Sequence, residues 1–271
     1  MMKELHSIED EGYGGKAREL GRALRAGLPV PPGWALSPAV VERIVLGESV
    51  TRQQVFSALE ALGPTAVRSS AVGEDGAEAS FAGQHVSVLN VRGREGLLAA
   101  ITSVYESARS AAALAYRRRL GISAEPRMAV VVQALVPADS AGILFTRNPL
   151  TGADERVIEG SFGLGEAVVA GLVTPDRFRL ARGGALLEQA LGDKDVAISW
   201  HPEGGTHELA LSAERTAQLC LNAAQLLELD ALASACERAF SGPHDIEWAF
   251  AEGKLYLLQR RAITAGAPTV G

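Results

Sequence analysis

Between Asp245 and Arg261 apolar and polar side chains alternate on either side of Glu252-Gly253-Lys254, and no other stretch restricts the fold as tightly. A period of two interrupted by a glycine-bearing break reads as a β-hairpin. With Glu252, Gly253 and Lys254 as a three-residue loop, Ala251 is expected opposite Leu255, Ala249 opposite Leu257, Glu247 opposite Gln259 and Asp245 opposite Arg261. The side chains then divide by face. Asp245, Glu247, Gln259 and Arg261 share one; Ile246, Trp248, Phe250, Tyr256 and Leu258 share the other. Two carboxylates, an amide oxygen and a guanidinium on one rigid surface offer hard ligands for Mg2+ beside a fork that grips phosphate. A plain cross-strand Asp–Arg pair with a Glu–Gln hydrogen bond on a wet sheet accounts for the same residues, and the hairpin alone does not decide between them.

The rest of the chain supplies the frame. Its 271 residues, 47% hydrophobic, suffice for one large domain or one domain in two lobes. Helices are expected over Lys16–Ala26, after Ser37, over Thr51–Gly63, over about 94–119, and over about 213–229 and 231–240. Strands are expected at 65–71, 85–91 and 128–136, then near 141–147, 155–160, 176–182, 185–190, 194–200 and 206–211. The run MAVVVQALV is too short for a typical helix and rich in Val, which suits a buried strand. The fold class is therefore α+β, mostly antiparallel in its second half. Residues 1–135 form an N-terminal lobe, 136–265 a C-terminal lobe, and 266–271 a frayed tail.

Composition excludes some functions. The net charge of −6 argues against a broad nucleic-acid surface, while leaving room for a few cations in a cleft. No signal peptide and no membrane span is indicated, so the cytoplasm is the default compartment. Cys220 and Cys236 lack ligand-spaced neighbours and read as buried thiols.

Three loops carry possible anion chemistry. Gly14, Gly15 and Lys16 open a helix, where free N–H groups and an ammonium make an anion site; a plain helix-start turn with an exposed Lys fits equally. Arg68 follows a short apolar strand and precedes Ser69, Ser70 and a small-residue loop with Glu74 and Asp75. It suits a phosphate, or an ion pair with those acids. A second glycine cluster, Gly163, Gly165 and Gly171, lies beside Glu159 and Glu166 and reads also as a turn and helix cap.

Five stretches in order, GGKAREL…GLPVPPGW, AVRSSAVGEDGAEASFAGQ, VVVQALV…AGILFTRNPLTG, EGSFGLGEAVVAGLVTPD and DIEWAF…KLYLLQRRAIT, resemble the N-terminal ATP-binding domain of phosphoenolpyruvate synthase and pyruvate phosphate dikinase. Rifampin phosphotransferase and the glucan water dikinases share that domain. The resemblance runs from about Gly14 to Thr264. It implies an ATP-grasp fold whose two lobes hold ATP between sheets, with ATP and Mg2+ bound. It implies further that Lys16 and Arg68 contact the phosphates, and that the 131–136 strand, with Gln133, Ala134 and Val136, lines the adenine pocket. Glu247 and Gln259 would carry Mg2+, with Asp245 and Arg261 completing the phosphate end; Lys16, Arg68, Asp245 and Arg261 form the catalytic set. One departure is QRRAIT, where Arg260 and Ala262 replace the family's small residue and proline; Arg260 is expected to point away from the site.

Members of this family normally carry a swivelling domain whose histidine takes the β-phosphoryl group, and a domain for pyruvate, rifamycin or glucan. The sequence stops where the ATP domain stops. His207, in PEGGTHELAL, loosely resembles the phosphohistidine motif, but its spacing is too short and the turn is better read as joining two strands. His6, His85, His201 and His244 have less to recommend them. The leading expectation is an ATP-dependent phosphotransferase subunit of a split enzyme, whose partner is a separate phosphohistidine-domain and acceptor-binding protein, with no nucleic acid and no membrane. The alternatives are a free-standing kinase of a small molecule and a non-catalytic nucleotide-binding module.

Overall fold

A computed structural model describes residues 1–72, 86–119 and 125–263, with the backbone alone for Tyr116. Glu74, Asp75, His85 and the 266–271 tail named above lie outside the described residues. Two compact units are present. The first comprises Met1–Arg25, Pro31–Leu135 and His201–Gly205; the second comprises Ala26–Val30, Val136–Trp200 and Thr206–Gly271.

In the first unit the elements run β1 (Met2–Glu4), α1 (Gly14–Arg25), β2 (Gly33–Leu36), α2 (Pro38–Val45), α3 (Ser49–Leu59), β3 (Thr65–Ala71), β4 (Ser87–Val91), α4 (Gly93–Ser107), α5 (Ala111–Arg119) and β5 (Met128–Ala134). The strands form one antiparallel sheet in the order β1-β2-β5-β3-β4. Alternation gives the sheet two working faces. Leu36, Val67, Val130 and Val132 point into a core closed by Val41 and Ile44 of α2, Val55 and Leu59 of α3, and Ile101 and Val104 of α4. On the other face Ala66, Arg68 and Ser70 lie beside Gln133, Val131 and Ala129, their Cα partners. The helix α1 packs against β3 and β5. The helix expected over 94–119 is two helices instead, because Ser110 Oγ accepts from Ala113 N at 3.2 Å and starts a new one.

The second unit runs β6 (Ser140–Phe145), β7 (Glu155–Phe162), α6 (Glu166–Val169), β8 (Asp176–Ala181), β9 (Leu186–Ala190), β10 (Val196–Trp200), β11 (Thr206–Ala210), α7 (Ala213–Thr216), α8 (Ala223–Ala239), β12 (His244–Ala251) and β13 (Lys254–Ala262). Six strands form an antiparallel sheet in the order β13-β12-β6-β7-β8-β9, and β10 pairs with β11 alone. The helix α8 packs against β6, β12 and β13. Ile246, Trp248, Leu257, Leu144, Ile158, Phe178 and Leu180 are all 0% exposed. Gly142 allows β6 and β7 to approach: a Cβ there would lie 1.9 Å from the Glu159 carbonyl oxygen.

Two expectations are corrected here. The helices placed at about 213–229 and 231–240 are a four-residue turn and one long helix, and the break falls at 217–222 rather than at 230. Asn222 and Gln225 form a reciprocal capping box, each side chain bonding the other's backbone N–H at 3.0 Å. Asp230 sits inside α8. Its carboxylate accepts from Arg156 Nε at 3.0 Å and from Gly183 N at 3.1 Å.

Arg156 is the largest buried charge of the sheet, and every N–H it has is bonded. Besides Asp230, its acceptors are Thr146 O at 2.7 Å, Ser234 Oγ at 3.1 Å, and both Glu237 carboxylate oxygens at 2.9 Å. Burial would push the Glu237 carboxyl up, but bonds from Arg182 and Arg156 hold it down at about 2. A second buried pair, Lys194 with Asp176, is also fully enclosed. Asp176 additionally accepts from Gly192 N at 2.8 Å and Cys220 N at 2.6 Å, which ties the start of β8 to the β9–β10 and α7–α8 connections. Both cysteines are buried free thiols.

Candidate functional site

The closing hairpin turns more tightly than the sequence suggests. Ala251 pairs with Lys254, so the loop is the two residues Glu252 and Gly253, both at positive φ (51° and 73°). That is the backbone of a two-residue turn matched to strand twist. Ala249 accordingly faces Tyr256, and Phe250 faces Leu255. A bulge between Glu247 and Trp248 then absorbs one residue of β13, and beyond it Glu247 pairs with Gln259 and Asp245 with Arg261. The expected register therefore holds where the charged groups lie and fails near the turn. Two shifts of one residue cancel.

The bulge also moves two side chains from the face expected of them. Tyr256 and Leu258 pack against Val136, Ala141, Ala249 and Ala251, on the face that carries Glu247, while Leu257 takes the buried position opposite Trp248. A bulge re-aims the residues next to it, and the alternation that the sequence displays cannot show where that happens. Arg260 points to the other side, as expected. Its guanidinium lies 3.9 Å from the Phe240 ring and 3.1 Å from His244 Nδ1, and burial lowers its pKa to about 10. Burial likewise lowers that of His244.

On the charged face, Asp245 and Arg261 are Cα partners yet form no ion pair among the described residues. The Asp245 carboxyl is raised to about 6, first by burial and then by the neighbouring Glu247 charge, with Arg261 opposing. Its Oδ1 is buried without a hydrogen-bond partner. A plain Asp–Arg pair on a wet sheet would show neither property. A buried carboxylate oxygen left open is what a cation would satisfy. Gln259 is 5% exposed beside it. Among the described residues no three of His, Cys, Asp and Glu are gathered as a metal cage. Two acids and an amide oxygen instead fit Mg2+, which is usually held by one or two carboxylates together with substrate phosphates and water.

The same row continues across the sheet. Glu247 neighbours Ile143, which neighbours Glu159, which neighbours Arg177. Glu166, half-buried at the start of α6, has its carboxyl raised by burial against a bond to Thr206 that lowers it. His207 is exposed within β11 opposite Ser199, and His244 is fully buried.

The remaining expected residues fall in the first unit, Val136 excepted. Lys16 is in the first turn of α1, and Arg68 is buried on β3 at 8% exposure. Gln133 is buried beneath Gly33, donating to Pro31 O at 3.2 Å, with its Oε1 3.5 Å from Arg68 Nη1. Ala134 ends β5 and donates its N–H to Pro32 O at 2.9 Å. Ser70, within the strand expected at 65–71, carries no expected role. It is fully buried, and its hydroxyl donates to Tyr13 O at 2.7 Å and accepts from Ala17 N at 3.1 Å. Its position two residues after Arg68 is the signal that could have found it.

Comparison with known proteins bears on these groups. A probable phosphoenolpyruvate synthase of Methanothermobacter thermautotrophicus is 34% identical, over 93% of this chain and 44% of its own length. A prodigiosin synthesizing transferase of Serratia marcescens is 34% identical over 97% of this chain and 33% of its own. A rifampicin phosphotransferase of Streptomyces sviceus is 40% identical over 75% of this chain and 24% of its own. The chain thus spans less than half the length of these relatives. Residues 47–269 match the family model described as the pyruvate phosphate dikinase, AMP/ATP-binding domain. The chain belongs to that family.

Proposed function

We propose that this chain binds Mg-ATP and passes a phosphoryl group to a histidine that is not among its 271 residues. The observation that carries the reading is the hairpin face: Asp245 with a buried unpartnered oxygen and a raised carboxyl, beside Glu247 and Gln259. Family membership and the two antiparallel α+β units support an ATP-grasp arrangement.

In this reading Glu247 and Gln259 hold Mg2+, which supplies charge neutralisation at the phosphates. Arg261 orients the phosphate end as a planar fork, and Asp245 completes that end from the metal side, its open oxygen facing the cation rather than the phosphates. Lys16 and Arg68 bind further phosphate oxygens, Lys16 as a point charge and Arg68 as a buried one. Gln133, Ala134 and Val136 receive the base. The groups act by placement and electrostatics, which is most of what phosphoryl transfer asks of a protein. Relatives named for phosphoenolpyruvate, prodigiosin and rifampicin share this portion of chain, so the portion supplies the nucleotide chemistry and not the choice of acceptor.

Purified protein incubated with Mg-ATP, with and without histidine-bearing domains from such relatives, tests the reading through the nucleotide formed. AMP that accumulates only with the added domain supports it. ADP formed with a small acceptor alone supports a free-standing kinase, and tight binding without any product supports a non-catalytic module.

A further inference from the structure

We propose that Ser70 is a positioning residue, which sets Lys16 and Arg68 relative to one another; the inference rests on the nucleotide reading above. Lys16 is carried by the first turn of α1 and Arg68 by β3, two elements that β2, α2 and α3 separate in sequence. Ser70 joins them through one oxygen. Its hydroxyl donates to Tyr13 O, just before the helix, and accepts from Ala17 N, one of the four N–H groups the helix cannot satisfy itself. A residue of another strand thereby takes the place of an N-cap. The residues that open α1, Gly14 and Gly15, have no side chain with which to do so.

The contact is close as well as bonded. Gly14 has φ +79°, and a Cβ on it would lie 2.1 Å from Ser70 O and 2.5 Å from Ser70 Oγ. The helix start therefore lies directly on the strand. Arg68 and Ser70 are two residues apart on β3 and so point to the same face. Along that face, Arg68 Nη1 meets Gln133 Oε1 at 3.5 Å. One hydroxyl consequently determines both the rotation of the turn bearing Lys16 and its distance along β3 from Arg68. Without it, both cations remain and their spacing does not.

The test is a double-mutant cycle read by calorimetry with Mg-ATP and with adenosine, on folded protein confirmed by circular dichroism. Ser70→Ala is expected to weaken Mg-ATP binding about tenfold while leaving adenosine binding within about twofold, and in a Lys16→Met background its effect is expected to shrink to about twofold or less. A general loss of stability would act equally in both backgrounds. Equal factors there, or an unchanged Mg-ATP affinity in folded Ser70→Ala, overturns the proposal. If Ser70→Ala does not fold, Ser70→Cys, of similar volume with a weaker donor and acceptor, takes its place with the same outcomes. Failure of the wild-type protein to bind Mg-ATP would instead overturn the nucleotide reading itself.

Discussion

Replacing Arg156 by Met removes a guanidinium whose five N–H groups are all bonded and whose side chain is fully enclosed. Methionine fills much of the volume, so the cost comes from what is left behind. Asp230, 10% exposed, keeps Gly183 N as a donor, and Glu237, 20% exposed, keeps Arg182 at 2.7 Å. Breaking one partner out of a buried ionic cluster costs about 3–5 kcal/mol. For a unit of this size that corresponds to a fall in Tm of roughly 10 °C or more. The cluster lies on the α8 side of the sheet and touches none of the hairpin's charged face, so Mg-ATP affinity of the folded variant should match wild type. The pH dependence has a definite sign. Glu237 is depressed to about 2 when folded, so its contribution is complete above the ordinary carboxylate range and is lost as pH falls from about 4.5 toward 2. Thermal melts at pH 7, 4 and 3 should show the gap between wild type and Arg156→Met narrowing as the solution is acidified. A Tm within about 2 °C of wild type at pH 7, or a gap that widens in acid, would refute the reasoning.

Glu252 holds φ 51° in the hairpin turn, a conformation that Asn adopts at lower cost, so Glu252→Asn should raise stability by about 0.5–1 kcal/mol in urea titrations. Gly142→Ala should fail to give soluble folded protein, because its Cβ would meet Glu159 O at 1.9 Å and Gly160 Cα at 2.7 Å; a normal circular dichroism melt would contradict this. Burial raises both thiols, that of Cys236 to about 12, so neither should react with a disulfide reagent at pH 8 until urea unfolds the chain.

The sequence revealed the hairpin's charged pairs because side-chain period two is visible in it, and because the short turn and the bulge displace the register by equal and opposite steps. It did not reveal that Tyr256 and Leu258 share the face of Glu247. A bulge arises from packing on a neighbouring strand and leaves no periodic mark. Helix ends were legible where a cap lay within the segment and were missed at Asn222, although Asn-x-x-Gln was there to be read. Buried charges were hidden for a different reason. Arg156 and Lys194 look like solvent-facing residues of alternating strands, and their partners are up to 81 residues away in the chain. Ser70 was obscured in the same way, its partners lying 57 and 53 residues earlier.

Calorimetry of Mg-ATP binding to the wild-type chain and to Glu247→Gln, repeated with ATP in excess EDTA, addresses the hairpin most directly. The account predicts saturable binding by wild type that falls at least about tenfold either when Mg2+ is withdrawn or when Glu247 loses its charge. The two losses should not compound in the variant. Wild-type binding that is indifferent to Mg2+, or a Glu247→Gln chain that binds Mg-ATP as tightly as wild type, would contradict it.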